Sequence, residues 1–147
     1  MKRFHKILFA TDFSESPFPA FDEALAIAKD ENATLTIAHV YEPPNVAETV
    51  ALPQSAYDRW ENAVRQEALA KLQPYVDEAI QNGIAADPLL LSGVPEEAIS
   101  AAANDRPFDL VVLGTHGRKG LARLCFGSVA SRVISTALCP VMTILAG

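Results

Sequence analysis

Along the chain, apolar residues switch repeatedly between short aliphatic runs and a helical repeat, the mark of alternating strands and helices. KILFA predicts a first strand over 6–10. SPFPAFDEALAIAKDE predicts a helix over 16–31, with Ser16 as N-cap, Pro17 in the first helical position, and Phe21, Leu25 and Ala28 on one face. ATLTIAHV, rich in β-branched residues, is the second strand, and the Pro-rich YEPPNVAETVALPQ after it is a loop or lid. A long helix is expected over 55–83, with Pro74 as a kink and Gly83 as its stop. DPLLLSG is strand three, PEEAISAAANDR a short helix opened by proline, and DLVVLG strand four. SVASRVISTAL and CPVMTILA supply the last helix and the last strand.

Each strand is a short aliphatic run rather than a clean alternation, so both faces of the sheet must be covered. The expected fold is therefore α/β: a Rossmann-like, open, parallel five-stranded sheet with helices on both faces. In such sheets a ligand sits beyond the carboxyl ends of the strands, where the strand order reverses. That rule brings together ATDFSES after strand one, HVYEPP at the end of strand two, and the segment after strand four.

The last of these segments is unusual. GTHGRKGLARLCFGS, residues 114–128, places glycines, a histidine and three basic side chains between a strand and a helix, where about two to six residues would suffice. Gly114 and Gly117 let backbone N–H groups approach an anion without a Cβ in the way. Gly127 and Ser128 open the next helix, whose free amides and dipole favour phosphate. The same residues also read as turn glycines and a plain N-cap, and both readings stay open. Neither a Walker A loop nor Gly-x-Gly-x-x-Gly occurs.

Composition narrows the classes. The 147 residues, half of them apolar, suit a single domain over 1–147. A net charge of −6 disfavours a general nucleic-acid binder, because phosphate neutralisation needs clustered cations. Arg118, Lys119 and Arg123 form the one basic cluster of interest, either solvated or supporting bound phosphate. Cys125 and Cys139 are too few for a disulfide framework and are read as structural thiols of a cytoplasmic protein. The N-terminal apolar run stops at Asp12, and no stretch is long enough to span a bilayer, so no membrane partner is expected.

The spacing Gly114-x-x-Gly117, nine residues, then Gly127-Ser128 resembles the nucleotide-binding signature of the universal stress protein family. KILFATDFSES, IAHVYEP, DLVVLGTHGR and CPVMTIL are similar to that family's strands in the same order, so the resemblance covers the whole chain and implies the sheet order 3-2-1-4-5. For the ATP-binding branch it implies Ala10 and Asp12 by the adenosine, Val40 at the adenine, and Leu113 and Gly114 bordering the ribose. Gly117, Gly127, Ser128 and Val129 would cradle the phosphates, with His116 close by. Ala130 stands where many binding members carry a hydroxyl residue, which weakens one phosphate or metal contact unless Ser131 substitutes. The expected ligand is ATP, ADP or AMP with Mg²⁺, and the expected role is a regulatory binding module rather than a turnover enzyme.

Other readings remain. Asp12 suits ribose hydroxyls or the role of a helix-cap or loop-turn carboxylate, and His116 a loop position or a phosphate contact. His39 is read as a satisfied core histidine, His5 as exposed, and Trp60 as packing. No arrangement for nucleophilic hydrolysis is evident. A dimeric scaffold without nucleotide and a slow ATPase are the alternative functions. The uncharged apolar strand CPVMTILAG at a sheet edge, together with the resemblance, predicts a homodimer through Val141, Met142, Thr143 and Ile144. A protein client is expected and not identified by the sequence.

Overall fold

A computed structural model describes residues 3–14, 19–43, 52–114 and 127–144. Strands β1 (Lys6–Ala10), β2 (Thr34–Tyr41), β3 (Ala86–Ser92), β4 (Leu110–Gly114) and β5 (Val141–Ile144) form one sheet of order β3-β2-β1-β4-β5. All four pairings are parallel. The helices are α1 (Pro19–Glu31), α2 (Gln54–Gln81), α3 (Pro95–Asp105) and α4 (Gly127–Thr136).

The aliphatic strands behave as their composition requires, with successive side chains entering opposite cores. Ile7 and Phe9 of β1, Leu35 and Ile37 of β2, and Leu110 and Val112 of β4 face one core, completed by Phe21 of α1 and Leu72 and Val76 of α2. Leu8, Ala10, Ala38, Val40, Val111 and Leu113 face the other, completed by Ile99 and Ala103 of α3 and Ala130 and Val133 of α4. On α1, Phe21 and Ala28 are buried and Leu25 is half-buried, so the expected face is the packed one. Ser16 and Pro17, the expected opening of α1, lie outside the described residues.

Helix ends are set by local chemistry. At the end of α2, Gly83 takes φ +79°, its N–H donates to Ile80 O at 2.9 Å, and the N–H of buried Ile84 donates to Ala79 O at 3.0 Å. This is a left-handed helix stop that satisfies the last carbonyls. Asn32 (φ +52°) repeats it after α1, with Ala33 N–H on Ala28 O at 2.9 Å. Pro74, read as a kink, lies inside α2, which runs on through it as one helix, with Pro74 on the exposed side where water can serve the unpaired carbonyl.

Three boundaries move. Tyr41, expected in the loop, is the last residue of β2, because the ladder continues to a Tyr41–Ser92 pair. Helix α4 stops at Thr136 rather than 138: the Asn104 amide donates to Thr136 O at 2.8 Å and accepts from Leu138 N–H at 2.9 Å, diverting the chain into β5. The β4 ladder reaches β5 only from Val141.

At the amino ends of the strands, Asp109 accepts from the backbone N–H of His5 at 2.7 Å and of Lys6 at 2.9 Å. These two bonds hold its carboxyl below the usual value of 3.8. Beside it, burial, and secondarily the Asp109 charge, pushes the Cys139 thiol up, consistent with an unreactive structural cysteine. Cys125 lies outside the described residues. His5 is exposed, as expected.

A folded-state pKa below the unfolded one contributes stability that is present above the unfolded value and is lost as pH falls through the folded value. Asp109→Asn should therefore lower stability at pH 7 by about 1 kcal/mol, a few degrees in Tm, after allowance for solvent screening. The difference should shrink as pH falls below about 4. Thermal melts at pH 7 and pH 3 check this: an equal penalty at both would show that the charge contributes nothing.

Candidate functional site

The site follows from how two neighbouring strands hand on the chain. β1 and β4 are paired, with Ala10 opposite Leu113. From β1 the chain goes to α1, which packs on the first core; from β4 it goes to α4, which packs on the second. The two helices that follow these neighbouring strands lie on opposite faces, which makes the carboxyl ends of β1 and β4 the switch point beside which open α/β sheets bind ligands.

Ala10, Val40 and Leu113 all belong to the second core and are 9%, 8% and 2% exposed. Val129, from the first turn of α4, is half-buried against them. Four of the expected site residues are thus brought into one apolar cluster, just below the strand ends. Gly114 is the last residue of β4 and is half-buried. Gly127 and Ser128 open α4, whose first four amides have no partner within the helix. Ala130 is buried in the second core and Ser131 is exposed. His116 and Gly117 lie outside the described residues, as do Arg118, Lys119 and Arg123.

Asp12 is exposed at the exit of β1. One of its carboxylate oxygens accepts from the Ser14 N–H at 3.0 Å and also from the Ser14 hydroxyl. The local turn that the sequence allowed for is therefore formed, and it still leaves the second carboxylate oxygen a potential acceptor. Just before it, the Thr11 N–H donates to Ala38 O at 2.9 Å, extending the β1–β2 contact past the strand end.

The other face of the same strand ends carries residues that the sequence did not assign to the site. His39 is half-buried rather than deep in the core, and its Nδ1 lies 2.8 Å from Thr11 O. Its ring stacks on Phe13, centroids 4.1 Å apart. The Tyr41 hydroxyl donates to Glu61 at 2.8 Å and accepts from Arg65 at 3.2 Å, fastening the first half of α2 to the end of β2. His39 and Tyr41 both stand in HVYEPP, so their position was legible; the α2 partners of Tyr41, and the Thr11 carbonyl and Phe13 ring that meet His39, were not. Trp60 packs near Tyr57 at 5.9 Å, in keeping with a packing role.

The sequence model described as the universal stress protein family matches residues 3–144. The chain belongs to that family. It is 31% identical over 146 residues to the universal stress protein YxiE of Bacillus subtilis, covering 96% of this chain and 99% of YxiE. The solved structure of MJ0577, a universal stress protein of Methanocaldococcus jannaschii, superposes with a TM-score of 0.84 at 26% identity, covering 99% of this chain and 98% of that one. A universal stress protein crystallised in complex with cAMP gives a TM-score of 0.71 at 26% identity over 97% and 98% of the two chains. The five-stranded order and the helices on both faces are thus those of the family. No helix among the described residues is long and apolar enough to cross a membrane.

Proposed function

We propose that this protein is an adenine-nucleotide-binding regulatory module of the cytoplasm, with ATP, ADP or AMP as ligand and Mg²⁺ accompanying the phosphates. The observation that supports the reading is that Ala10, Val40 and Leu113 share one apolar cluster with Val129 from the first turn of α4 at the switch point, with Asp12 exposed at the exit of β1. Apolar walls suit an adenine, a carboxylate at the rim suits ribose hydroxyls, and a helix N-terminus suits phosphate. The cAMP held by a relative of similar fold supports the same ligand class.

In this reading Val40 meets the adenine, Asp12 the ribose, and Leu113 and Gly114 border it. Gly117, Gly127, Ser128 and Val129 hold the phosphates, and His116 stands near them. Nucleotide would order the segment from Gly114 to Ser128 and the Pro-rich segment after β2, and a protein client would read the ordered surface. The whole chain would act as a single domain.

The two sheet edges support a homodimer through Val141, Met142, Thr143 and Ile144. β3 carries Asp87 and Pro88, both exposed, a charge and a missing donor that discourage further pairing. β5 has neither, and Leu138 just before it is 85% exposed.

Three outcomes test the reading. Gly117→Val or Gly127→Val should abolish ATP binding in isothermal titration calorimetry while circular dichroism stays native, and Arg118→Ala should matter less, because exposed cations are hydrated and screened. Unaltered affinity in both glycine variants would make these turn residues and refute the phosphate assignment. Light scattering at micromolar concentration should give a dimer, with Val141→Lys/Ile144→Lys running as monomer or aggregate; a monomeric wild type removes the edge argument. ATP turnover should fall well below about one per second, the lower end of ordinary enzymes. A faster phosphate release that drops sharply in His116→Ala would favour an ATPase.

A further inference from the structure

The segment leaving β1 is strained in a way its sequence does not announce. Phe13 has φ +67°, a left-handed conformation uncommon for any residue with a Cβ and a real outlier for a bulky one. Such strain persists only where surrounding contacts impose it. Here those contacts converge on His39. Thr11 O, which can only accept, lies 2.8 Å from His39 Nδ1, so that nitrogen carries the proton. The ring of Phe13 lies on the His39 ring at 4.1 Å, the two planes 30° apart. Phe13 is held further by Tyr75, with ring centroids 6.2 Å apart, and by Lys71 Nζ, 5.7 Å from its centroid. The Phe13 N–H closes the turn onto Thr11 Oγ1 at 3.0 Å.

His39 therefore grips the residue before Asp12 and the residue after it. We propose that His39 is a positioning residue: by fixing the Thr11 carbonyl and the Phe13 ring it sets the backbone of Asp12 and aims its carboxylate toward the switch point between β1 and β4. The consequence for ligand binding rests on the reading that Asp12 meets the ribose. His39 itself stands on the opposite face of β2 from Val40, facing the first core rather than the second. It acts on ligand only through the turn.

Two measurements test this. In calorimetry, Asp12→Ala and His39→Ala should each weaken ATP binding by about tenfold, the scale of one hydrogen bond to a charged group. The double variant should be weaker than either by less than about twofold, because both changes remove one interaction. Affinity for 2′,3′-dideoxy-ATP should be the same in wild type and in both single variants, a readout that general loosening of the fold would not leave unmoved. Losses that multiply in the double variant, or a His39→Ala loss that persists with the dideoxy ligand, overturn the proposal.

The second measurement is independent of ligand: in a crystal structure of free His39→Ala, Phe13 should leave the left-handed region and the Ser14–Asp12 bonds should break. A turn retained intact overturns the positioning role even if wild type binds no ATP, whereas absent ATP binding with a rearranged turn removes the nucleotide reading alone.

Discussion

Everything in this structure depends on the requirement that both faces of one parallel sheet be kept from water. Strand residues alternate between two cores, so neither α1 and α2 nor α3 and α4 could be removed without exposing a row of Ile, Leu, Val and Phe. Covering both faces forces the chain to cross from one to the other. Between β1 and β4 the crossing happens at neighbouring strands, and the helices that follow them lie on opposite faces. The switch point is thus a by-product of burial: its position is set by the topology before any site residue is chosen.

The two ends of the sheet are built differently as a result. At the amino ends, backbone groups are closed off by specific partners: Asp109 takes the His5 and Lys6 amides, and the left-handed stops at Asn32 and Gly83 turn the chain tightly back into β2 and toward β3. At the carboxyl ends the register is held by side chains standing outside the apolar cluster, namely His39 under the β1 exit and Tyr41 between Glu61 and Arg65. At the β1 exit the Thr11 carbonyl lies past the ladder, and His39 serves it because such a group needs another partner.

Much of this was legible in the sequence because burial writes itself into composition. KILFA and LVVLG are apolar on both parities, and only a strand covered on both faces tolerates that. The family resemblance supplied the strand order and the individual residues proposed for the site, and the switch-point rule supplied only the segments that carry them. Two kinds of feature were hidden. Helix ends shifted where a tertiary contact intervened, as when Asn104, 32 residues earlier, takes Thr136 O and ends α4 before Leu138. The strain at Phe13 had no local signal at all, since glycine or asparagine is the usual mark of positive φ and an aromatic is not. Its cause lies in His39 and Tyr75, which only the folded chain brings near.

In the proposed reading a chain of net charge −6 holds a polyphosphate, and it cannot then rely on its overall field, which repels the ligand. The attraction has to be local and short in range. Helix dipoles and free amides meet that condition: they fall off within a turn, do not alter the net charge, and need only that a helix begin at the switch point. α4 begins there because it must return over the second core after β4. In that reading the same burial rule that sets the switch point also starts a helix, positive end first, beside it. What remains for the sequence to choose is the rim, and in this chain the rim carries a carboxylate, Asp12, whose backbone is bracketed by a histidine from the neighbouring strand.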